Sequence, residues 1–87
     1  METIKVGVLF QLGKRIAFLR KQRHMSQLDL SIESEVAKSY LSDLERGERN
    51  PSVLVLNKIA LGLNVTLEEL FQGIIPLEGL LKDEERE

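Results

Sequence analysis

Helical spacing of the apolar residues, broken at short intervals by capping residues, is the feature that most constrains this chain. Apolar side chains recur three and four positions apart at Val8, Leu9, Leu12, Ile16 and Leu19. This spacing is typical of an amphipathic helix over residues 8–22. No segment shows the two-residue alternation of a half-buried strand. The pattern therefore predicts an all-α fold made of short helices.

Capping residues and glycines divide the rest of the chain into four further helices. A Ser or Thr favours a helix start because its hydroxyl accepts a hydrogen bond from a free backbone N–H, and Gly commonly follows a helix end. The starts are Ser26, Ser52 and Thr66, and the ends are Gly47 and Gly73. These signals predict helices over 27–34, 38–46, 52–62 and 66–71. The residues expected on the buried face of the helix over 52–62 are Val53, Leu56, Ile59 and Ala60.

Length and composition limit the classes of protein that remain. The 87 residues, 43% of them apolar, are enough for one hydrophobic core, and a chain this short does not support two. There is no Cys and a single His, which argues against disulfides, thiolate metal sites and histidine metal clusters. No apolar run approaches the roughly 18–20 residues of a membrane helix, and the N-terminus lacks a signal-peptide pattern. We therefore expect a single-domain cytoplasmic protein with no metal and no cofactor.

Positive charge is concentrated in the first half of the chain. Residues 1–50 carry nine basic and seven acidic side chains, whereas residues 51–87 carry three basic and seven acidic ones. This asymmetry permits a local anion-binding face, but it is also compatible with an ordinary solvated surface. The overall pI of about 5.5 argues against strong nonspecific binding of nucleic acid.

The helices over 27–34 and 38–46, joined by a turn over 34–37, form a helix-turn-helix arrangement. In a helical wheel of the helix over 38–46, Ala37, Leu41 and Leu44 lie on one side, with Tyr40 and Glu45 at its margins. The opposite side carries Ser39, Ser42, Asp43 and Arg46, with Lys38 at the exposed N-terminal end. Such a polar stripe fits the major groove of DNA, which is about 12 Å wide. It is also what the solvated face of any amphipathic helix looks like.

Three separated stretches of this sequence resemble one family. They are MSQ at 25–27, KSYLSDLERGERNPS at 38–52 and LGLNVTLEELF at 61–71. Their order and spacing are similar to those of the phage-repressor and Cro-type helix-turn-helix proteins, often called the XRE family. The resemblance covers roughly residues 12–71. It implies a five-helix repressor-like DNA-binding domain over 8–72, with the motif at 27–46, followed by an extension over 73–87 that is apolar, then acidic and frayed.

The resemblance implies a set of DNA contacts. The set comprises Gln27, Lys38, Ser39, Tyr40, Ser42, Arg46, Arg49 and Asn50. Lys38 and Ser39 match positions that reach base edges, where a Lys donates to guanine. Gln27 matches a position that contacts phosphate and braces the recognition helix over 38–46, at a helix start where free backbone N–H groups also attract anions. For each of these residues the alternative is an ordinary surface position.

The remaining members of the set flank these contacts. Tyr40 matches a position that touches the DNA backbone, and Ser42 lies where it contacts either a phosphate or a base. Arg46, Arg49 and Asn50 lie at and beyond the end of the recognition helix. The resemblance implies that these three bind flanking phosphates or enter the neighbouring minor groove.

Three charged residues have different expected roles. Arg20 and Glu45 match a structural ion pair between the first and third helices of the family. Asp43 points outward, where it either accepts a hydrogen bond from cytosine or repels phosphates that approach wrongly.

The sequence also departs from the family pattern. Glu35 occupies a turn position that usually carries Gly, and Ala37 stands where a capping Ser, Thr or Asn is usual. If the turn requires a positive φ, Glu35 costs roughly 1 kcal/mol, and the lost cap at Ala37 costs about as much. Phe18 and Leu28 occupy positions that are usually polar.

The resemblance implies a transcriptional regulator that binds an inverted-repeat operator as a homodimer and regulates its own gene. The sequence is similar to those of small stand-alone regulators such as restriction-modification controller proteins. The dimer surface is expected in the region of the fourth and fifth helices and 65–81, with apolar area from Val65, Leu67, Ile74, Ile75, Leu77 and Leu80. Alternatively, these residues close the monomer's own core.

Two other classes of function are alternatives to a DNA-binding regulator. An antitoxin-like module would use the same helices to bind another protein, and Glu35, Asp43 and the net charge of −2 favour it. An enzyme is not expected, because no Ser, His and Asp trio has a meaningful spacing and no glycine-rich phosphate loop is present.

Overall fold

The computed structural model describes residues 7–74, and in that range the chain forms helices and no strand. The elements are α1 (Val8–Gln22), α2 (Gln27–Ser34), α3 (Lys38–Glu45), α4 (Val53–Leu63) and α5 (Leu67–Leu70). The predicted all-α, five-helix class is confirmed, and every predicted helix end lies within one residue of the observed one. The expected apolar and acidic extension lies, from residue 75 onward, outside the described residues.

The predicted helix starts are made by side-chain caps. The Ser26 hydroxyl accepts a hydrogen bond from the Asp29 N–H, and the Asp29 carboxylate accepts one from the Ser26 N–H, both at 2.9 Å. The hydrogen bond from the Ser26 N–H is the main reason that the pKa of Asp29 lies below its ordinary value. Thr66 and Glu69 form the same reciprocal box at the start of α5. Each box satisfies N–H groups that the helix itself leaves unpaired.

All five helices contribute to one core. The large side chains that are fully buried are Ile16, Leu30, Leu41, Leu44, Ile59, Leu63 and Leu70. Helix α2 packs along α4, while α3 contacts α1 and α2. The recognition helix of the motif is therefore fixed from its buried side by two other helices.

Two details of the predicted core are wrong. Ala37 is exposed, and Val36 beside it is buried instead. The helical wheel does not apply to Ala37, because it precedes α3 with an extended backbone of φ −56° and ψ 141°. Val53 is 70% exposed, because it is the first residue of α4 and lies outside the region where that helix meets the core.

Gly13 allows a close approach of α1 and α3 that the sequence analysis missed. A Cβ built on Gly13 would lie 2.7 Å from the carbonyl oxygen of Glu45 and closer still to that of Leu44. Atoms of the main chain cannot move aside as a flexible side chain can. The C-terminal end of α3 therefore lies directly against the backbone of α1.

Candidate nucleic-acid interface

An ion pair between Arg20 and Glu45 ties α3 to α1. The guanidinium donates from Nε to Oε2 at 2.7 Å and from Nη2 to Oε1 at 2.9 Å. Its remaining nitrogen donates to the Met25 carbonyl oxygen at 2.8 Å. The side chains of Arg20 and Glu45 are only 11% and 8% exposed. The hydrogen bond to Glu45 raises the pKa of Arg20 above its ordinary value, against the opposing effect of burial.

Gln27 extends this clamp to the start of α2. Its side-chain amide donates to Oε1 of Glu45 at 3.0 Å. The Glu45 carboxylate on α3 thus accepts hydrogen bonds from one residue near the end of α1 and from another at the beginning of α2. The structure therefore gives Gln27 a contact that braces α3, one of the two roles that the family resemblance implied for it.

The N-terminal end of α3 presents its side chains to solvent. Lys38 and Ser39 are exposed, and within residues 7–74 Lys38 forms no ion pair. Tyr40 is half-buried and packs against the core. The carbon at the centre of the Arg49 guanidinium lies 4.9 Å from the centre of the Tyr40 ring, which is within the range of a cation–π contact.

The C-terminal end of α3 carries a network of surface charges. Arg46 donates to the Ser42 hydroxyl at 2.8 Å and pairs with both Asp43 and Glu48. Arg49 approaches the other oxygen of Asp43 at 3.4 Å. Asp43 is thus held between two arginines.

Asn50 follows these residues as an exposed loop position. The contacts of Asp43 were missed by the sequence analysis, although the spacing of Asp43 and Arg46 at i and i+3 was a signal for one of them. The other contact depends on the path of the loop after Gly47, which sequence spacing does not give.

The turn between α2 and α3 keeps the shape of a glycine turn without its glycine. Glu35 has φ 61° and ψ 30°, in the left-handed region. The buried Ser34 hydroxyl accepts a hydrogen bond from the Val36 N–H at 3.2 Å, while Ala37 provides no side-chain cap to α3. Both expected departures are therefore present.

Residues 7–74 contain no group of three His, Asp or Glu side chains that could hold a metal ion. No helix among them is both long enough and apolar enough to cross a membrane. The candidate site is the polar stripe of α3 with its flanking arginines, in which Lys38, Ser39 and Arg46 are exposed and Ser42 and Asp43 are half-buried.

Comparison of the sequence with known proteins identifies a helix-turn-helix family. Residues 16–70 match the HTH_3 family, described as helix-turn-helix. The immunity repressor protein of Bacillus phage phi105 is 35% identical over 75 residues, which are 86% of this chain and 49% of the repressor. The control protein C.MunI of a Mycoplasma species is 36% identical over 75 residues, covering 85% of this chain and 96% of that protein. The chain thus spans about half of the phage repressor but nearly all of the control protein.

Solved structures agree with the sequence matches. The restriction-modification controller protein C.AhdI from Aeromonas hydrophila has 36% sequence identity and a TM-score of 0.71, over 72% of this chain and 96% of that one. A chain of the SinR–SinI protein complex has 34% identity and a TM-score of 0.67, over 85% of this chain and 78% of that one. The chain therefore belongs to the HTH_3, or XRE-type, family of helix-turn-helix DNA-binding transcriptional regulators.

Proposed function

We propose that this chain binds a specific double-stranded DNA sequence through α3 and regulates transcription there. The observation that carries the proposal is the contrast between the two sides of α3. Its buried side is fixed by Leu41, Leu44 and the Arg20–Glu45 pair, while its outer side presents exposed polar residues. A helix held in this way suits insertion into a major groove, because its side chains meet base edges in a fixed orientation.

Within this proposal, the two ends of α3 have different tasks. Lys38 and Ser39 reach base edges, and Lys38 donates to guanine O6 and N7. Tyr40, Ser42, Arg46, Arg49 and Asn50 contact mainly the sugar-phosphate backbone on either side. Such contacts fix the register of the protein and carry most of the salt-dependent affinity.

We further propose that the protein acts as a homodimer on an inverted repeat. One recognition helix reads too few base pairs to define a unique site, and a twofold dimer places two such helices about 34 Å apart in successive major grooves. Exposed apolar side chains on α4 support this step: Val53, Leu54 and Leu61 are 70%, 75% and 70% exposed. Autoregulation is part of the same proposal, and the relative C.MunI, of which this chain covers 96%, is named a control protein.

The surface proposed for the dimer is narrower than the one expected from sequence, which covered the region of the fourth and fifth helices and 65–81. Val65, Leu67 and Ile74 are half-buried and pack against the monomer's own core, as the alternative interpretation held. Ile75, Leu77 and Leu80 lie outside the described residues. The exposed face of α4 is therefore the better-supported candidate.

The test compares binding to a duplex from the chain's own upstream region with binding to a shuffled duplex, at two salt concentrations. We expect tighter binding to the upstream duplex and weaker binding at higher salt. Lys38→Ala should reduce the preference between the duplexes, because it removes a base contact. Arg49→Ala should weaken binding to the two duplexes by a similar factor, because it removes a phosphate contact. Arg23→Ala, at an exposed cationic side chain outside the proposed DNA contacts and the exposed face of α4, serves as the matched control.

Each outcome of this test has a definite meaning. Equal binding to both duplexes would contradict autoregulation and require selection of a site from random DNA. If a folded protein binds neither duplex, the DNA-binding proposal is wrong. Circular dichroism of each variant shows whether a loss of binding reflects a loss of fold.

A second candidate function is binding to another protein, as in an antitoxin. Exposed Leu28 and Ile32 on α2, at 54% and 66%, favour it, and one structural relative was solved in a protein–protein complex. Salt separates the two functions, because DNA binding weakens steeply as counterions are released whereas apolar association does not.

A further inference from the structure

A cleft between α1 and α3 lies beside the polar stripe of α3, and the residues on its α1 side have no role in the proposed function so far. Its volume is about 490 Å³, and its lining includes Lys14 and Lys21 from α1, Gln27 from the start of α2, and Ser42 and Arg46 from α3. Three of these five side chains are cationic. The cleft therefore combines positive charge with hydrogen-bond donors next to the helix that is proposed to read DNA.

Neither of the two lysines is paired with a carboxylate of the described residues. Both are exposed, and within residues 7–74 neither comes within ion-pair distance of a carboxylate. Lys14 lies over the Phe10 ring, with Nζ 5.3 Å from its centre, which leaves its ammonium able to donate outward. Arg46, in contrast, is already paired with Asp43 and Glu48.

Glu45 is the carboxylate that lines this cleft, and it does not oppose an anion there strongly. Both of its oxygens accept from Arg20, and one also accepts from Gln27. Its charge is thus offset by a buried guanidinium at 2.7 Å. The lysines can therefore act on an incoming anion without a competing free carboxylate in the cleft.

We infer that this cleft receives the phosphate backbone of the bound duplex, so that the DNA interface extends from α3 onto α1 through Lys14 and Lys21. The inference rests on the proposed function. A duplex docked on the outer side of α3 brings its backbone to the edge where Ser42 and Gln27 line the cleft. Lys14 and Lys21 are seven residues apart, about 10.5 Å along a helix axis, so they meet different phosphates.

The same chemistry would suit a free phosphorylated ligand, but the geometry favours DNA. The two lysines are exposed and far apart, whereas a small anion is usually held by several convergent donors. A polymer with phosphates at regular intervals can meet both lysines at once. The contacts would carry no sequence information, since phosphates do not differ between sites.

The experiment measures the salt dependence of binding to a random-sequence duplex, for which no operator need be known. Each lysine that neutralises a phosphate contributes about 0.9 to the slope of log K against log salt concentration. Lys14→Ala and Lys21→Ala should each make the slope less steep by about 1, and the double variant by about 2. Lys21→Arg should keep the wild-type slope, and Arg23→Ala, at an exposed cationic residue just after α1 that does not line the cleft, should change it little.

The outcomes separate this inference from the function on which it rests. If the wild type binds the duplex with a steep slope and the double variant keeps that slope, the inference is wrong and the proposed function stands. Equal effects of Arg23→Ala and Lys21→Ala would also overturn it, because they would reflect only net charge. If the folded wild type binds neither the random-sequence duplex nor a duplex selected from random DNA, both fail. Titration with inorganic phosphate at constant ionic strength gives a third check, since saturable binding lost in the double variant would assign the cleft to a small ligand instead.

Discussion

At the scale of single residues, the turn of the motif combines a required backbone shape with a residue that disfavours it. Glu35 ends α2 in the left-handed region at φ 61°, where a side chain is strained and Gly is not. The chain keeps this turn because Leu30 before it, and Val36 and Leu41 after it, are all buried. Packing on both sides thus fixes a conformation that the local sequence opposes.

Replacing Glu35 by Gly should therefore stabilise the protein. We expect the free energy of unfolding to rise by about 0.5–1 kcal/mol, after allowing for the greater freedom of Gly in the unfolded chain. Urea unfolding would measure it. Glu35→Ala is the matched control, since it removes the same charge but keeps the strain. If the two variants unfold alike, the backbone angle is not the source of the cost.

Asp43 is the second residue with a consequence of its own. It lies between Arg46 and Arg49 on the surface proposed to meet phosphates. Asp43→Asn should raise affinity for an operator and for a shuffled duplex alike by about fivefold, or roughly 1 kcal/mol for one surface charge. The preference between the two duplexes should fall or stay constant, and titration of both would show it.

Glu48→Gln provides the comparison for Asp43, because Glu48 pairs with Arg46 and not with Arg49. We expect a smaller rise in affinity for this variant. A loss of operator affinity in Asp43→Asn would instead mean that Asp43 orients the two arginines for binding.

At the scale of helices, much of the architecture could be read from caps and periodicity. Ser26 with Asp29 and Thr66 with Glu69 fixed two helix starts, because capping is a local interaction of residues three apart. The burial of Val36 instead of Ala37 could not be predicted in this way, because it depends on the direction in which the turn enters α3. The Asp43 network and the α1–α3 cleft were missed for a related reason: both join elements distant in sequence.

The approach of α1 to α3 at Gly13 can be tested directly. In Gly13→Ala the new Cβ would meet main-chain carbonyl oxygens, one of them at 2.7 Å, so the helices must separate. We expect a loss of about 2–3 kcal/mol in the free energy of unfolding, as for an overpacked core, despite the higher helix propensity of Ala.

Gly62→Ala is the control for this change. It gains the same helix propensity, but its nearest neighbours would lie at 3.0 Å, beside the side chain and amide of Ser34. Its loss should be smaller than that of Gly13→Ala. Thermal melting at or above the wild-type temperature for Gly13→Ala would show that the two backbones do not meet this closely.

At the scale of the whole molecule, the exposed face of α4 decides whether the protein acts alone or in pairs. Leu54 and Leu61 are seven residues apart and therefore share one side of the helix. Leu54→Glu with Leu61→Glu should weaken a dimer by about tenfold or more, since burial of one Leu contributes about 1.5–3 kcal/mol. Because both side chains are at least 70% exposed in the monomer, its fold should survive.

Sedimentation at several protein concentrations would measure this change. Ile32→Glu, at a side chain that is 66% exposed on α2, is the matched control and should leave the dimer unchanged. A double variant that sediments as the wild type does, or a control that dissociates equally, would exclude α4 as the dimer surface.

The Arg20–Glu45–Gln27 clamp has a consequence for how this chain could change over evolution or in the laboratory. The contacts that fix the position of α3 lie on its buried side, and they include two buried leucines and one carboxylate that accepts hydrogen bonds from two other helices. Lys38 and Ser39 point away from these restraints and take no part in them. Substitutions at those two positions could therefore change the DNA sequence that the protein binds without changing its fold.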